Sequence, residues 1–355
     1  MTDPELQPFF DATPLLDTPA ALISRLRTDG YLYLRGVLPV ADVAAVRRHV
    51  LAVADHAGWL LPATSTTADA ADPPADPQNA VWDPAPGYRA VHRRMWTHRD
   101  VHALMHHPRL LSLLTTLTGH VDLLVHPRKV LRAVHPRPAA TAATPAGGGW
   151  HQDFPEIQGT HNTLTVWTPL APAGPGTGAL AVLPASHLGG VLPLRLASTA
   201  VGWEADVYPQ RAHTGHVDPG DVLIFTAHTV HRGTANTGRS LRLSLDVRYQ
   251  PAAEPVNETC LELRDEPFGW DSVYDQWPAR TADPLAYYWQ RHTRLDVVLY
   301  DQRFDQWREQ TALTAGERAD PRARRALEIT AAYSAPPAAT RAATLLRALP
   351  APRNT

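Results

Sequence analysis

Apolar positions follow two different spacings along the chain, and the change comes near residue 121. Before it, three- and four-residue spacing prevails. Pro39 opens a predicted helix with Val43, Val46, Val50 and Val53 on one side. Thr97 is placed to cap another helix from His98, with Val101, Leu104, Leu111 and Leu114 on one side. Tyr31 to Leu34 is a short strand candidate. Leu61 to Pro86 has no periodicity and is rich in Ala, Asp, Thr and Pro. It reads as a long loop, of the kind that forms a lid or stays disordered.

From Val121 the texture becomes short apolar segments between Pro and Gly clusters: Val121–Val125, Val130–Val134, Thr163–Leu170, Ala179–Leu183, Val222–Phe225 and Leu241–Tyr249. Several alternate with a period of two, which points to a β-sandwich or jelly roll. After Pro251 the pattern turns helical and aromatic, with Trp270, Tyr274, Trp277, Tyr287, Tyr288, Trp289 and Trp307. That part is either a lid over a site or a helical buttress or dimer surface. Ala323 to Leu349 is helix-prone, broken at Pro336-Pro337. The expectation is one domain over 1–355, mainly β with flanking helices: 1–120 mostly helical, 121–250 a β core, 251–355 a helical extension.

Composition narrows the function classes. The 33 basic and 35 acidic residues leave a formal charge of -2, against a dedicated nucleic-acid binder. No run approaches the roughly 20 apolar residues of a membrane span. The acidic, Pro-containing start, Met1 to Phe10, is unlike a signal peptide. Cys260 is the single cysteine. It makes no internal disulfide, rules out multi-thiolate zinc and iron–sulfur sites, and suits a reducing cytoplasm. The chain has 18 histidines and one lysine, Lys129. The histidines supply metal ligands and chance motifs alike.

Two imidazoles and one carboxylate on one face of a metal make a mononuclear iron oxygenase site. His-x-Asp on a strand serves this, because alternate residues point the same way. The chain has four such pairs, against on the order of one by chance. Asp100 of His98-Arg-Asp100 reads as a first-turn helix carboxylate. His120-Val-Asp122 follows the helix stop Gly119 and is the nearest competitor. His216-Val-Asp218 runs into the turn Pro219-Gly220. His151-Gln-Asp153 follows a Gly-rich segment and precedes the strands. A distal histidine is needed too, and His228 and His231 follow the strand Val222–Phe225, with His231 better placed. Arg242, eleven residues on, shares a strand face with Ser244, Asp246 and Arg248; Leu241, Leu243, Leu245 and Val247 form the other. The polar face meets either solvent or a polar interior, where a guanidinium could grip a carboxylate.

The segments His151-Gln-Asp-Phe-Pro-Glu-Ile-Gln-Gly-Thr160, Thr165-Val-Trp-Thr-Pro-Leu170, Gly178 to His187, Gly220 to Phe225 and His231 to Arg242 resemble the phytanoyl-CoA dioxygenase family. With Asp29 to Gly36, the likeness runs over roughly Leu22 to Gln250. It implies a double-stranded β-helix (jelly roll, cupin-like) and an Fe(II)/2-oxoglutarate-dependent dioxygenase that uses O2. By the resemblance His151, Asp153 and His231 are the iron ligands, Arg242 binds the C5 carboxylate of 2-oxoglutarate, and Thr165 is either a hydroxyl assisting it or an ordinary strand residue. Asp153, where halogenases of the superfamily carry Gly or Ala, favours hydroxylation or another oxidation. Pro184-Ala185 stands where Pro-Gly is common, with little consequence expected.

The expected activity is hydroxylation of an unactivated C–H of a small molecule, with release of succinate and CO2. The alternative is a non-catalytic or non-oxygenase cupin-like metal protein. Arg132, Gln152, Phe154 and Trp167 are the candidates for contact with substrate. Arg132 is equally readable as a surface charge and Trp167 as core. No nucleic acid or membrane partner is expected, and no oligomeric state is implied.

Overall fold

The longest strands are buried on both faces although apolar and polar residues alternate along them. The structure is a computed structural model that describes residues 5–61, 75–76, 86–137, 149–197, 202–263, 268–292 and 294–350. The loop expected over 61–86 lies largely outside the described residues.

The N-terminal elements are β1 (Glu5–Pro8), α1 (Pro19–Asp29), β2 (Tyr31–Leu34), α2 (Val40–His56), α3 (Pro86–Trp96), α4 (Arg99–Leu104) and α5 (Pro108–Thr118). Then come β3 (Leu123–Val125), β4 (Val130–Val134), α6 (Phe154–Ile157), β5 (Leu164–Pro169), β6 (Leu180–Val182), β7 (Leu194–Leu196) and β8 (Trp203–Ala205). β9 (Arg211–Thr214), β10 (Val222–Thr226), β11 (His231–Gly233), β12 (Arg242–Pro251) and β13 (Val256–Asn257) follow. The chain ends with α7 (Trp270–Tyr274), β14 (Val297–Val298), α8 (Arg303–Glu317), α9 (Ala323–Tyr333) and α10 (Pro336–Ala348).

The larger sheet has the order β2-β10-β5-β12-β3, with β4 also paired to β12; the smaller has the order β1-β9-β6-β11. Period-two alternation sorts each strand. Leu32, Leu34, Val166, Ile224, Leu243, Leu245 and Val247 join Val43, Val46, Val50, Leu110 and Leu114 of the helices in the main core. The opposite face, with Tyr31, Tyr33, Trp167, Leu223 and Phe225, packs against Leu180 and Val182 of the smaller sheet. The mixture of sheets and flanking helices agrees with the expected class.

Several local expectations change. Thr97 does not cap the next helix: its hydroxyl donates to Gln276, and His98 Nδ1 accepts from Asp100 N instead. That helix stops at Leu104, because Pro108 starts a new one and disfavours helical geometry just before itself. The described residues of 251–302 are mostly turns and short 3-10 segments around the five-residue α7, with longer helix resuming at Arg303. Its aromatics act as a buttress: Trp270 packs on Trp96, and Trp277 on His102 with its indole N–H on Thr97 O. Pro336 does break the helix pair, as the first residue of α10. Among the described residues, no helix is long and apolar enough to cross a membrane.

Ala185 carries more consequence than expected. It sits at φ 61°, ψ 2°, the left-handed region. Strain there is about 1–2 kcal/mol for a residue with a Cβ, less the unfolded-state entropy a glycine would add. Ala185→Gly is therefore expected to stabilise the fold by about 0.5–1 kcal/mol, read as a raised Tm; a lowered Tm would contradict this.

Candidate metal centre and its cavity

An isolated antiparallel bridge brings two distant histidines together. His151 N donates to His231 O at 3.0 Å and His231 N to His151 O at 2.9 Å. Residues paired this way project side chains to the same face, and the two ring centroids lie 4.3 Å apart. Each imidazole is fixed through Nδ1, His151 to Gly149 O at 2.8 Å and His231 to Thr229 O at 3.0 Å. An Nδ1–H donated to a carbonyl leaves the Nε2 lone pair free, the usual state of a metal-bound imidazole. Burial, reinforced by His151, holds His231 down at about 4, so it is neutral at pH 7.

Asp153 completes the group. Its Oδ1 is 3.8 Å from His231 Nε2, and the three residues offer ligand atoms all within 4.8 Å of one another. Among the described residues no other three such side chains converge like this. Two nitrogens and one oxygen suit a first-row divalent metal, and iron in particular when three positions stay open. The donor set therefore fits the Fe(II) that the sequence suggests.

The neighbours of Asp153 come from adjacent strands. Thr165 and Arg248 are paired across β5 and β12. Thr165 donates to Asp153 Oδ2 at 2.6 Å. Arg248 Nη2 lies 3.0 Å from both carboxylate oxygens, and Nε is 3.2 Å from Oδ2. Arg248 also pairs through Nη1 with Asp246. Burial pushes the Asp153 carboxyl up, but Arg248 and the two imidazoles outweigh it and leave it below the ordinary range.

Beside this group lies a cavity lined by His151, Thr165, Trp167, His231, Arg132, Arg242, Asp246 and Arg248. The polar face of β12 thus points inward, and Arg242 is 4% exposed. Gly178 (φ 85°) makes room for it: a Cβ there would lie 3.2 Å from Arg242 Cγ and Nε. Arg242 Nη1 donates to Ser244 at 2.6 Å, while its Nε and Trp167 Nε1 are buried donors without a protein partner among the described residues. An acceptor-rich carboxylate fits such a wall.

The sequence candidates divide accordingly. Arg132 and Trp167 line this cavity. Thr165 does too, but its hydroxyl goes to Asp153 rather than to Arg242. Gln152 lines not this cavity but the second one beside His151, where its amide donates to Gly190 O and His228 O and its oxygen accepts from Leu192 N. Phe154 stacks against both His161 and His228, which are hydrogen-bonded to each other at 3.0 Å. His151 also lines a second cavity of about 120 Å³, with Pro155, Glu156, Leu192, Trp203, Glu204 and Arg308. The competing His-x-Asp pairs stay apart from the centre. Asp122 is exposed and pairs with His292, Asp100 sits in the first turn of α4, and Asp218 shapes the turn before β10. Sequence reasoning missed Arg248 as a partner of Asp153, although its even spacing from Asp246 and Arg242 placed it on the right face.

Several known proteins are similar to this chain. Residues 26–244 match the family described as Phytanoyl-CoA dioxygenase (PhyH). Two 1-deoxypentalenic acid 11-beta-hydroxylases are similar. That of Streptomyces exfoliatus is 29% identical and that of Streptomyces arenae 27%, each over 266 residues, 71% of this chain and 88% of the relative. Among solved structures, EvdO2 from Micromonospora carbonacea var. aurantiaca complexed with 2-oxoglutarate is 21% identical, with TM-score 0.43 over 65% of this chain and 89% of that one. The family match spans more than half the chain and contains all three converging residues, so this chain belongs to the phytanoyl-CoA dioxygenase family of Fe(II)/2-oxoglutarate-dependent dioxygenases.

Proposed function

We propose that the chain hydroxylates an unactivated C–H of a small molecule, with His151, Asp153 and His231 holding Fe(II) and Arg242 holding the C5 carboxylate of 2-oxoglutarate. We read its two sheets as a double-stranded β-helix, and 1–355 as one oxygenase domain working in the cytoplasm. The observation that carries the reading is the convergence of His151, Asp153 and His231 beside a buried arginine whose Nε has no protein partner among the described residues. When bound, iron with 2-oxoglutarate and O2 supplies the oxidising power for the C–H bond, and succinate and CO2 leave.

The chain's own residues bind and orient. The two carbonyl-tethered imidazoles and the Arg248-held carboxylate fix three donors before any ligand arrives. Arg242 meets the far carboxylate in a dry, low-dielectric wall, where a charge-assisted bond is strong. Arg132 borders this cavity with 35% of its side chain exposed and its Nε 3.4 Å from Asp246. We assign Arg132 and Trp167, and Gln152 of the second cavity, to contact with substrate or cosubstrate. The His151-lined second cavity is the substrate side, so α8, through Arg308, helps to shape it.

Anaerobic titration with Fe(II) and 2-oxoglutarate tests this reading. A metal-to-ligand charge-transfer absorption is expected. Arg242→Gln should weaken 2-oxoglutarate binding by about 10–100-fold, the loss of one charged hydrogen-bonding partner. No absorption in the unaltered protein, or unchanged affinity in the variant, would count against it.

A further inference from the structure

We propose that Arg248 is a positioning residue: its guanidinium fork, with Thr165, holds Oδ2 of Asp153 so that Oδ1 is the oxygen turned to the metal site. This rests on the reading of His151, Asp153 and His231 as metal ligands.

Four observations support it. Thr165 and Arg248 face each other across β5 and β12, so one strand register sets both donors. Their bonds crowd Oδ2: Thr165 Oγ1 at 2.6 Å, Arg248 Nη2 at 3.0 Å and Nε at 3.2 Å. Oδ1 has Arg248 Nη2 at 3.0 Å and is the atom that faces His231 Nε2, at 3.8 Å. Arg248 is itself pinned from the other side by Asp246, with 12% of its side chain exposed. A carboxylate turning about its last torsion would break three of these bonds at once. Such a clamp favours one-oxygen ligation, which spares an open position that a two-oxygen grip would fill. A lysine in its place keeps the charge but has no planar fork, so it cannot hold two oxygens and Asp246 together.

The test is Mn2+ binding to the purified full chain, by electron paramagnetic resonance with and without 2-oxoglutarate, for wild type, Arg248→Lys and Arg248→Gln. Circular dichroism and Tm check the fold, and Thr165→Val, which removes the companion donor while leaving Arg248, is the milder variant. Both Arg248 variants are expected to bind Mn2+ about 10–100-fold more weakly, the usual loss for a partner of a metal ligand. Thr165→Val should weaken it in the same direction, and the signal of the bound ion should change shape. Unchanged affinity in folded variants overturns the proposal. Rescue by lysine overturns it as well, since charge alone would then suffice. Tighter binding by Arg248→Gln would show a like charge that only repels the cation, and would overturn it too. A wild type that binds no Mn2+ overturns the metal reading itself, and the proposal with it.

Discussion

Asp153→Ala is expected to abolish metal-dependent turnover and, in the metal-free protein, to lower stability by about 3–5 kcal/mol. The two effects have separate causes. Removing a donor from a three-residue set should exceed the roughly 10–100-fold loss typical of an outer partner. The stability loss comes from what Asp153 leaves behind. Arg248, pinned at Asp246, loses its second carboxylate, and Thr165 loses the acceptor of its 2.6 Å bond. Asp153→Asn keeps the shape and one acceptor, so about half that loss is expected. The pH dependence has a definite sign. Because the Asp153 pKa is below the ordinary value in the folded chain, its contribution is fully present above about pH 4 and fades on acidification. The wild-type advantage over Asp153→Ala in urea unfolding should therefore be full at pH 7 and shrink below pH 4. Equal stability at pH 7 would overturn the argument.

Much of the centre was legible because it rests on local pattern. The alternation in Leu241–Tyr249 sorted Leu243, Leu245 and Val247 from Arg242, Ser244, Asp246 and Arg248. It left open only which side was interior, and the smaller sheet settles that by covering the polar face. His98-Arg-Asp100 and His216-Val-Asp218 were separable by their cap and turn signals, whereas His120-Val-Asp122 stayed a competitor until the resemblance set it aside. The His151–His231 bridge was not legible from spacing, since nothing local relates residues 80 apart; the resemblance supplied it. Short strands such as β7, β8 and β11 also escaped, because three residues carry too little alternation to register. The assignment of Thr165 to the cosubstrate failed to anticipate its partner for a physical reason. Register, not residue type, decides which carboxylate a hydroxyl meets, and β5 places Thr165 opposite Arg248.

Lys129 supports the other large expectation, and it lies away from the metal centre. It is the chain's single lysine and is 2% exposed. Its Nζ is 3.4 Å from Tyr288 Oη and 5.2 Å from that ring's centroid, and its backbone oxygen accepts from Trp96 Nε1. Burial pushes the ammonium down from 10.5 to about 7. Its neighbours His102 and His106 are also held low, by burial first and by Lys129 second. A fall from 10.5 to about 7 corresponds to roughly 4–5 kcal/mol between the charged and neutral forms. The unfolded chain binds the proton more readily over that window, so wild-type stability from this group rises with pH between about 7 and 10.5. Below pH 7 the whole penalty is present. Lys129→Met fills the space with an unbranched apolar side chain and leaves the Trp96 bond intact. Allowing about 1 kcal/mol for the lost contacts with Tyr288, the variant should be more stable by about 3 kcal/mol at pH 6–7. The gain should vanish near pH 10.5. Urea unfolding of both proteins across that range checks it. A variant less stable at pH 6, or a difference that ignores pH, would mean that the ammonium is held by compensating partners rather than merely tolerated.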